Sequence, residues 1–296
     1  MTKCTLCPRC CNVDRSIALG YCKSNNNIKV ARASLHFDEE PIISGSSGSG
    51  TIFFSGCNLQ CVYCQNYSIS HENFGKEISV DKLVEIFKDL ENQGANNINL
   101  VTPTHFVDAI IAALNIYRPK VPIVYNTNSY ESVVTLQKLA PFIDIYLADI
   151  KYYDSNLSLK LSKAKDYFEV ALKALIQMRK NVPEDIIENG LMKKGIIVRH
   201  LVLPNHIDDS KKVFEAIANT FSPKDTIISL MGQYTPMYKA SDYPDINRPL
   251  KPLEYKIVQN YVLNLGFDNG FFQELSSATS DYTPTFDLTG IDNKKA

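Results

Sequence analysis

Residues 48–66 read GSGTIFFSGCNLQCVYCQN, in which an apolar run leads directly into three closely spaced cysteines. The run 51–55 is rich in aromatic and β-branched residues, which predicts a β-strand. Cys57, Cys61 and Cys64 follow it with the spacing C-x3-C-x2-C, so their thiols belong to the loop after that strand. Thiolates are soft ligands that suit iron–sulfur clusters or zinc. The stretch therefore predicts a metal-binding loop at the end of a strand.

The number of cysteines in this loop matters as much as their spacing. A [4Fe–4S] cluster held by four cysteines has a protein ligand on every iron, whereas three cysteines leave one iron open. An open coordination position is what catalysis at a metal requires. The alternative is a structural zinc site completed by His71, the histidine nearest in sequence. Structural zinc sites tend to pair two short knuckles, and one continuous loop favours the cluster.

The composition is that of an ordinary globular chain, with 296 residues, 45% hydrophobic and 21% charged. Its net charge of −1 provides no basic field, which counts against nucleic-acid binding. No apolar run reaches the length of a membrane span, and the N-terminus lacks the apolar region of a signal peptide. All eight cysteines lie between Cys4 and Cys64, which favours metal binding in a reducing compartment over disulfides. We expect a cytoplasmic protein without membrane association.

From residue 50 onward, short apolar runs alternate with amphipathic helical patterns in six strand-then-helix units. Such units imply a parallel sheet covered by helices. Six are too few for a closed eight-unit barrel, which leaves a partial barrel or a doubly wound open sheet. In both folds the chemistry lies at the C-terminal ends of the strands. The predicted strands are 51–55, 97–101, 122–127, 144–150, 195–203 and 226–231, and the predicted helices are 81–93, 105–117, 131–140, about 156–181, 210–221 and 253–265.

The first 49 residues have a different character. They hold five cysteines, a polar KSNNN stretch and one predicted strand, 28–35. Residues 45–50, GSSGSG, predict either a flexible linker or a close-packed glycine turn. We predict three parts, namely a Cys-rich N-terminal segment 1–49, a core 50–275 and a C-terminal tail 276–296.

Several motifs together resemble a known family. C-x3-C-x2-C with an aromatic before the last cysteine, after the first strand, is similar to the signature of the radical S-adenosylmethionine (SAM) enzymes. The resemblance is to an uncharacterised branch similar to the pyruvate formate-lyase activating enzyme. It implies an α/β fold, a partial (β/α)6 TIM-type barrel with a small N-terminal Cys-rich metal-binding segment. It also implies a [4Fe–4S] cluster on Cys57, Cys61 and Cys64, with SAM on the open iron. The segments that carry the resemblance are CTLCPRCCNVDR, GTIFFSGCNLQC, VTPTH, YNTNSYES, DIYLADIKYYD, VRHLVLP and SLMGQY.

The resemblance further implies which side chains surround SAM, strand by strand. Tyr63, the aromatic residue between the ligands, packs beside adenine. Asp149 and Lys151 form a D-x-K pair after the fourth strand. Activating enzymes carry a Gly-Gly-Glu-type segment after the second strand, where this chain has VTPTH instead. Thr104 could equally cap the following helix, and 126–129 could be an ordinary polar turn. The implied SAM site is Tyr63, Thr102, Thr104, Asn126, Thr127, Asp149, Lys151 and Arg199.

Residues near this site carry weaker expectations. By strand alternation His200 faces away from Arg199 and is expected to pack among the helices. Gln233 and Tyr234 are expected to line the substrate opening. Residues 35–41, LHFDEEP, contain His36, Glu39 and Glu40. This segment is expected to be either part of the barrel rim or a solvated acidic turn.

The N-terminal cysteines form a second pattern in the resemblance, C-x2-C-P-R-x-C followed by a distant cysteine. Cys10 is extra to it. Four thiolates saturate a metal, so this second site would be closed, and structural or electron-relaying. Zinc and a second [4Fe–4S] cluster both remain open for Cys4, Cys7, Cys11 and Cys22.

The function implied is reductive cleavage of SAM to a 5′-deoxyadenosyl radical that abstracts hydrogen from a substrate. The first substrate hypothesis is a glycine on a glycyl-radical enzyme, with an electron donor such as flavodoxin or ferredoxin. Another peptide or a small metabolite is the alternative. Two rivals are a nucleic-acid-modifying enzyme with an N-terminal zinc module and a non-catalytic zinc or electron-transfer module.

Overall fold

The computed structural model describes residues 3–273 and 284–292, and strands and helices alternate through most of that range. The described strands are β1 (Ile28–His36), β2 (Ser49–Phe54), β3 (Lys76–Ile78), β4 (Ile98–Val101), β5 (Ile123–Thr127), β6 (Ile145–Asp149), β7 (Ile186–Glu188), β8 (Leu191–Leu201), β9 (Ile227–Met231) and β10 (Gly270–Phe272). The described helices are α1 (Pro41–Ser44), α2 (Tyr67–Ser70), α3 (Val80–Asn92), α4 (Val107–Ile116), α5 (Val133–Leu139), α6 (Ser155–Ser162), α7 (Tyr167–Asn181), α8 (Ile207–Ala218) and α9 (Pro252–Asn264).

The main sheet has a long parallel part in the order β10-β9-β8-β6-β5-β4-β2. Six of these strands match the six predicted units, and the three-residue β10 adds a seventh within the described residues. The α/β class with a mostly parallel sheet is confirmed. In the part of the chain that the structure describes, the outermost strands β10 and β3 do not pair with each other, so the sheet stays open. Parallel strands bring their C-terminal ends and following loops to one edge.

The segment before residue 50 contributes to the same sheet. β1 pairs antiparallel with β2, and β3 pairs antiparallel with β1. Residues 284–292 run along β1, where the Leu288 N–H donates to the Ala31 carbonyl at 3.1 Å. The predicted boundary between core and tail at 275/276 lies outside the described residues.

The glycine stretch before β2 is a packed turn. A Cβ on Gly50 would stand 2.9 Å from the Cβ of Ala95 and 2.9 Å from the Asn97 carbonyl oxygen. Gly48, just before the strand, has φ +85°, a conformation that L side chains rarely adopt. Of the two predicted alternatives, the close-packed turn is confirmed and the flexible linker is wrong.

The helix predicted over 156–181 is two helices, α6 and α7. α6 begins at an Asp154 cap, whose Oδ1 accepts the N–H groups of Asn156 and Leu157. It ends at Lys163, which has φ +57°. A lysine in the left-handed region supplies the break that a glycine or proline would normally signal, so the apolar periodicity continues across it unmarked.

No helix among the described residues is both long and apolar enough to cross a membrane.

Candidate active site

The cysteine loop leaves β2 at the edge where the parallel strands end. Gly56 has φ +90°, and a Cβ there would lie 2.4 Å from the Ser24 Oγ and 2.5 Å from the Cys22 carbonyl oxygen. Only glycine fits at this position, because the N-terminal segment packs directly against the start of the loop. Farther along, the Val62 N–H donates to the Leu161 carbonyl at 2.9 Å, which fixes the loop to the end of α6.

The three thiols of the loop are half-buried and line one open cavity of about 270 Å³. Burial is the main cause that raises the pKa of Cys64 to about 11, and the neighbouring Cys61 adds to the rise. The same two causes raise the pKa of Cys57 further. Such thiols do not ionise at neutral pH unless a cation among them compensates the charge. Their soft donor set beside an open cavity fits an iron–sulfur cluster that keeps one iron free.

His71, the proposed fourth ligand of a zinc site, reaches the cysteines only through a hydroxyl. Its Nδ1 lies 2.8 Å from the Ser70 Oγ, which in turn lies 3.2 Å from the Cys64 Sγ. Burial, with Lys23 and Lys239 nearby, lowers the pKa of His71 to about 4, so the ring is neutral. Among the described residues, no three His, Cys, Asp or Glu side chains are grouped so as to hold a metal ion.

A buried ion-pair network forms another part of the cavity wall. Arg199 Nε donates to Asp149 Oδ1 at 2.8 Å, and Lys151 Nζ donates to Asp149 Oδ2 at 2.7 Å. Burial alone would raise the pKa of Asp149, but Arg199 and Lys151 hold it below its ordinary value. Arg199 also donates through Nη2 to Asn126 Oδ1 at 2.6 Å. Arg199, Asp149 and Lys151 thus point into the cavity, and their contact with SAM stays a prediction.

The acidic turn after β1 supplies a carboxylate that the sequence analysis left at the rim or in solvent. Glu39 Oε2 accepts from Arg199 Nη1 at 3.0 Å, while its Oε1 accepts from the amides of Asn99 and Asn126. The Glu39 side chain is 12% exposed and that of Glu40 is 7% exposed. The solvated-turn alternative is therefore wrong, because this turn packs beneath the cavity and shares the charge of Arg199.

A second carboxylate, Glu131, was not foreseen. Its Oε1 accepts hydroxyl protons from Thr104 and Thr127, each at 2.6 Å, and from Tyr125 at 3.2 Å. Burial raises the pKa of Glu131 to about 7, although those three hydrogen bonds lower it. Thr104 therefore points at Glu131, behind the cavity wall. Thr102 has φ +55°, which is strained for a β-branched residue and is a feature typical of functional sites.

The remaining site residues fall into two groups. His200 is buried, with Nδ1 at 2.6 Å from the Ile150 carbonyl and Nε2 at 2.8 Å from the Ser210 hydroxyl, so its predicted core role is confirmed. Seven of the eight residues implied for SAM line the cavity, as do His36, Glu39, Gln233 and Tyr234. The seven are Tyr63, Thr102, Asn126, Thr127, Asp149, Lys151 and Arg199.

The N-terminal cysteines lie beside this site. Cys7 and Cys22 are buried, Cys4 and Cys11 are half-buried, and Cys10 is exposed. A Cβ on Gly20 would stand 3.3 Å from the Cys22 Sγ and 3.8 Å from the Cys11 Sγ, so these two sulfurs are neighbours. Burial raises the pKa of Cys7 to about 12, and Cys22 and Cys11 contribute to the rise.

Arg9 fastens the N-terminal segment to the cysteine loop. Its Nε donates to the Asn58 carbonyl at 2.8 Å, and its other nitrogens donate to the carbonyls of Ser162 and Lys163. Its guanidinium also lies 4.1 Å from the centre of the Tyr21 ring. The segment and the loop are therefore held as one packed unit.

Comparisons with known proteins agree with this geometry. A family profile described as the Radical SAM superfamily matches residues 51–217. The chain is 33% identical over 283 residues to an uncharacterized protein, MJ0674, of Methanocaldococcus jannaschii, covering 90% of this chain and 77% of that protein. It is 24% identical over 190 residues to the pyruvate formate-lyase-activating enzyme of Clostridium pasteurianum, covering 60% of this chain and 71% of that enzyme.

Among solved structures, Streptococcus suis SuiB bound to S-adenosylmethionine has a TM-score of 0.52 at 15% identity. The match covers 75% of this chain and 49% of SuiB, so this chain spans about half the length of that protein. At this identity the likeness shows the fold alone.

Proposed function

This chain belongs to the radical SAM superfamily, and we propose that Cys57, Cys61 and Cys64 are the ligands of its [4Fe–4S] cluster. The observation that carries the proposal is a shared cavity. The three thiols line it together with the buried, paired charges on β8 and at the end of β6. When bound, the cluster supplies one electron that cleaves SAM to methionine and a 5′-deoxyadenosyl radical, which abstracts hydrogen from the substrate.

The role of the protein is to position SAM and shield it from water. Lys151 and Arg199 offer positive charge to the carboxylate of SAM, while Asp149 accepts protons from its ammonium or ribose groups. Tyr63 provides an aromatic surface for adenine. Thr102 and Thr127 offer polar contacts at the ends of β4 and β5.

Thr104 supports this arrangement from behind the wall. Its hydroxyl and that of Thr127 share one oxygen of Glu131, so the loops after β4 and β5 are tied together. We therefore assign Thr104 and Glu131 as positioning residues for Thr127.

Anaerobic reconstitution tests the ligand assignment. The protein should bind at least four iron and four sulfide ions and, with a strong reductant, form 5′-deoxyadenosine from SAM. Cys61→Ala should abolish the product. Cys10→Ala is the matched control, because this thiol is exposed and extra to both cysteine patterns, and it should keep full product formation. Unchanged formation of 5′-deoxyadenosine by Cys61→Ala would overturn the assignment.

For the substrate, we propose a glycine Cα–H on a partner glycyl-radical enzyme. Support comes from the similarity to a pyruvate formate-lyase-activating enzyme over 190 residues. Incubation with SAM, reductant and a candidate glycyl-radical enzyme should produce the doublet signal of a glycyl radical in electron paramagnetic resonance (EPR) spectra. Formation of 5′-deoxyadenosine without that signal would exclude the tested partner and favour another peptide or a small metabolite.

We further propose that Cys4, Cys7, Cys11 and Cys22 hold a second, closed metal site. Because no three such side chains are already grouped around an ion position among the described residues, metal binding would draw these sulfurs together. Iron, sulfide and zinc counts on the Cys57/Cys61/Cys64 triple alanine variant distinguish its occupants. Residual iron with sulfide means a second cluster, and residual zinc means a structural ion. A metal-free variant would contradict the site.

We propose that the reducing electron comes from a flavodoxin or ferredoxin. Such a protein should replace the chemical reductant in the cleavage assay.

A further inference from the structure

Each cysteine of the loop lies within hydrogen-bond distance of a neighbouring polar group. The Ser162 hydroxyl donates to the Cys61 Sγ at 3.0 Å, and the Ser70 hydroxyl lies 3.2 Å from the Cys64 Sγ. Around Cys57 the bonds are longer, with the Leu59 N–H at 3.4 Å and the Asn128 amide at 3.5 Å. The two serines thus provide the shortest contacts to sulfur.

The bond from Ser162 is the end of a buried chain of hydroxyls. The Tyr152 OH lies 2.6 Å from the Ser162 Oγ, and the Tyr63 OH lies 2.6 Å from the Tyr152 OH. Ser162 has one proton and gives it to Cys61, so it must accept from Tyr152. Tyr152 must then accept from Tyr63. Every proton in the chain therefore points toward the sulfur.

The bond from Ser70 has the same direction once Cys64 is a thiolate. A thiolate has no proton to donate, so Ser70 must be the donor. The neighbouring His71 then donates its Nδ1–H to the Ser70 oxygen. Both sulfurs are thus approached by a hydroxyl that is itself polarised by a second donor, an arrangement that strengthens each bond.

We propose that Ser162 and Ser70 are positioning residues that raise the reduction potential of the cluster, an inference that rests on the proposed ligand set. An added electron increases the negative charge on the cysteine sulfurs. Hydrogen bonds to those sulfurs stabilise the reduced state and are one of the means by which proteins tune such clusters. The Tyr63–Tyr152 chain strengthens the effect at Cys61, since its protons all point toward that sulfur.

The test is an EPR-monitored redox titration of the reconstituted cluster without SAM. Ser162→Ala should lower the ratio of reduced to oxidised cluster at a fixed potential about tenfold, which is about 59 mV for a one-electron couple. Tyr152→Phe should shift the potential in the same direction by less, because Ser162 keeps its own proton. Ser158→Ala is the control, since Ser158 lies on the same helix, is equally buried and donates only to the Ser155 carbonyl.

Ser70→Ala provides an independent arm at Cys64, where the serine is less buried and its truncation disturbs packing less. It too should lower the potential, and it decides the question if Ser162→Ala does not bind a cluster. A cluster that forms in both serine variants with the potential of the Ser158→Ala control would overturn the inference and leave the ligand set standing. A wild-type protein that binds no cluster would instead overturn the proposed function.

Discussion

Glu131 is the residue whose replacement is most informative about how the wall of the site is held. It is 2% exposed, and its Oε2 has no hydrogen-bond partner among the described residues. Its pKa rises from 4.5 to about 7 on folding. The folded protein therefore binds the Glu131 proton more tightly than the unfolded chain does. The resulting stability is fully present below pH 4.5 and is lost as the pH rises through 7.

The size of the loss follows from the two pKa values. One pKa unit corresponds to about 1.4 kcal/mol, so the full shift costs the folded state about 3 kcal/mol at high pH. Most of it, about 2–3 kcal/mol, develops between pH 5 and pH 8. Glu131→Gln keeps an oxygen to accept from Thr104 and Thr127 and cannot ionise. We therefore expect the stability of the variant relative to wild type to increase by that amount over the same range.

The measurement is urea unfolding of both proteins at pH 5 and pH 8, followed by circular dichroism. Other titrating groups are common to both proteins and cancel in the difference. The unpaired amide nitrogen of the new glutamine adds an offset that does not depend on pH. A difference that stays constant between the two pH values would refute the reasoning, because Glu131 would then ionise equally in the folded and unfolded states.

Three further predictions concern the loop and the charged wall. Gly56→Ala should destabilise the protein by at least about 1 kcal/mol, because a Cβ would collide with the Ser24 Oγ and the Cys22 carbonyl. The same collision should reduce the iron bound per protein after reconstitution, and a normal iron content would contradict this. Arg199→Met should cost about 3–5 kcal/mol in urea unfolding, because it removes the cation from buried Glu39 and leaves Asp149 with Lys151 alone. Arg199→Lys, which keeps the charge, should lose less. Lys151→Met should weaken SAM binding about tenfold by calorimetry, about 1.4 kcal/mol, and unchanged affinity would remove Lys151 from the SAM site.

Local sequence patterns were enough to predict the parallel strands and the loop that carries the cysteines. Apolar strand runs and amphipathic helices are properties of neighbouring residues, and the spacing of Cys57, Cys61 and Cys64 is local as well. The D-x-K pair and the inward Arg199 followed from strand alternation and the resemblance. Hence about half of the residues that line the cavity could be named from the sequence.

The features that escaped prediction depend on contacts between distant parts of the chain. Glu39 meets Arg199 across 160 positions, and no local pattern indicates such a pair. Glu131 is the first residue of the predicted helix 131–140 but lies just before α5, where it contacts the loops after β4 and β5. β10 is three residues long and only partly buried, so it lacks the alternation that reveals a strand. The break at Lys163 has no glycine or proline to mark it.

The N-terminal Cys-rich segment holds the Cys57–Cys64 loop in place. Arg9 donates to the Asn58 carbonyl inside that loop and to the Ser162 carbonyl at the end of α6. The Ser162 side chain donates to Cys61, so one arginine holds both the loop and the residue that contacts its sulfur. Gly56 is in contact with the backbone of Cys22. Because Arg9 lies between Cys7 and Cys11 in sequence, metal binding by these thiols would order the arginine as well. If the proposed metal binds there, its removal should therefore loosen the Cys57–Cys64 loop even though none of the proposed cluster ligands has changed.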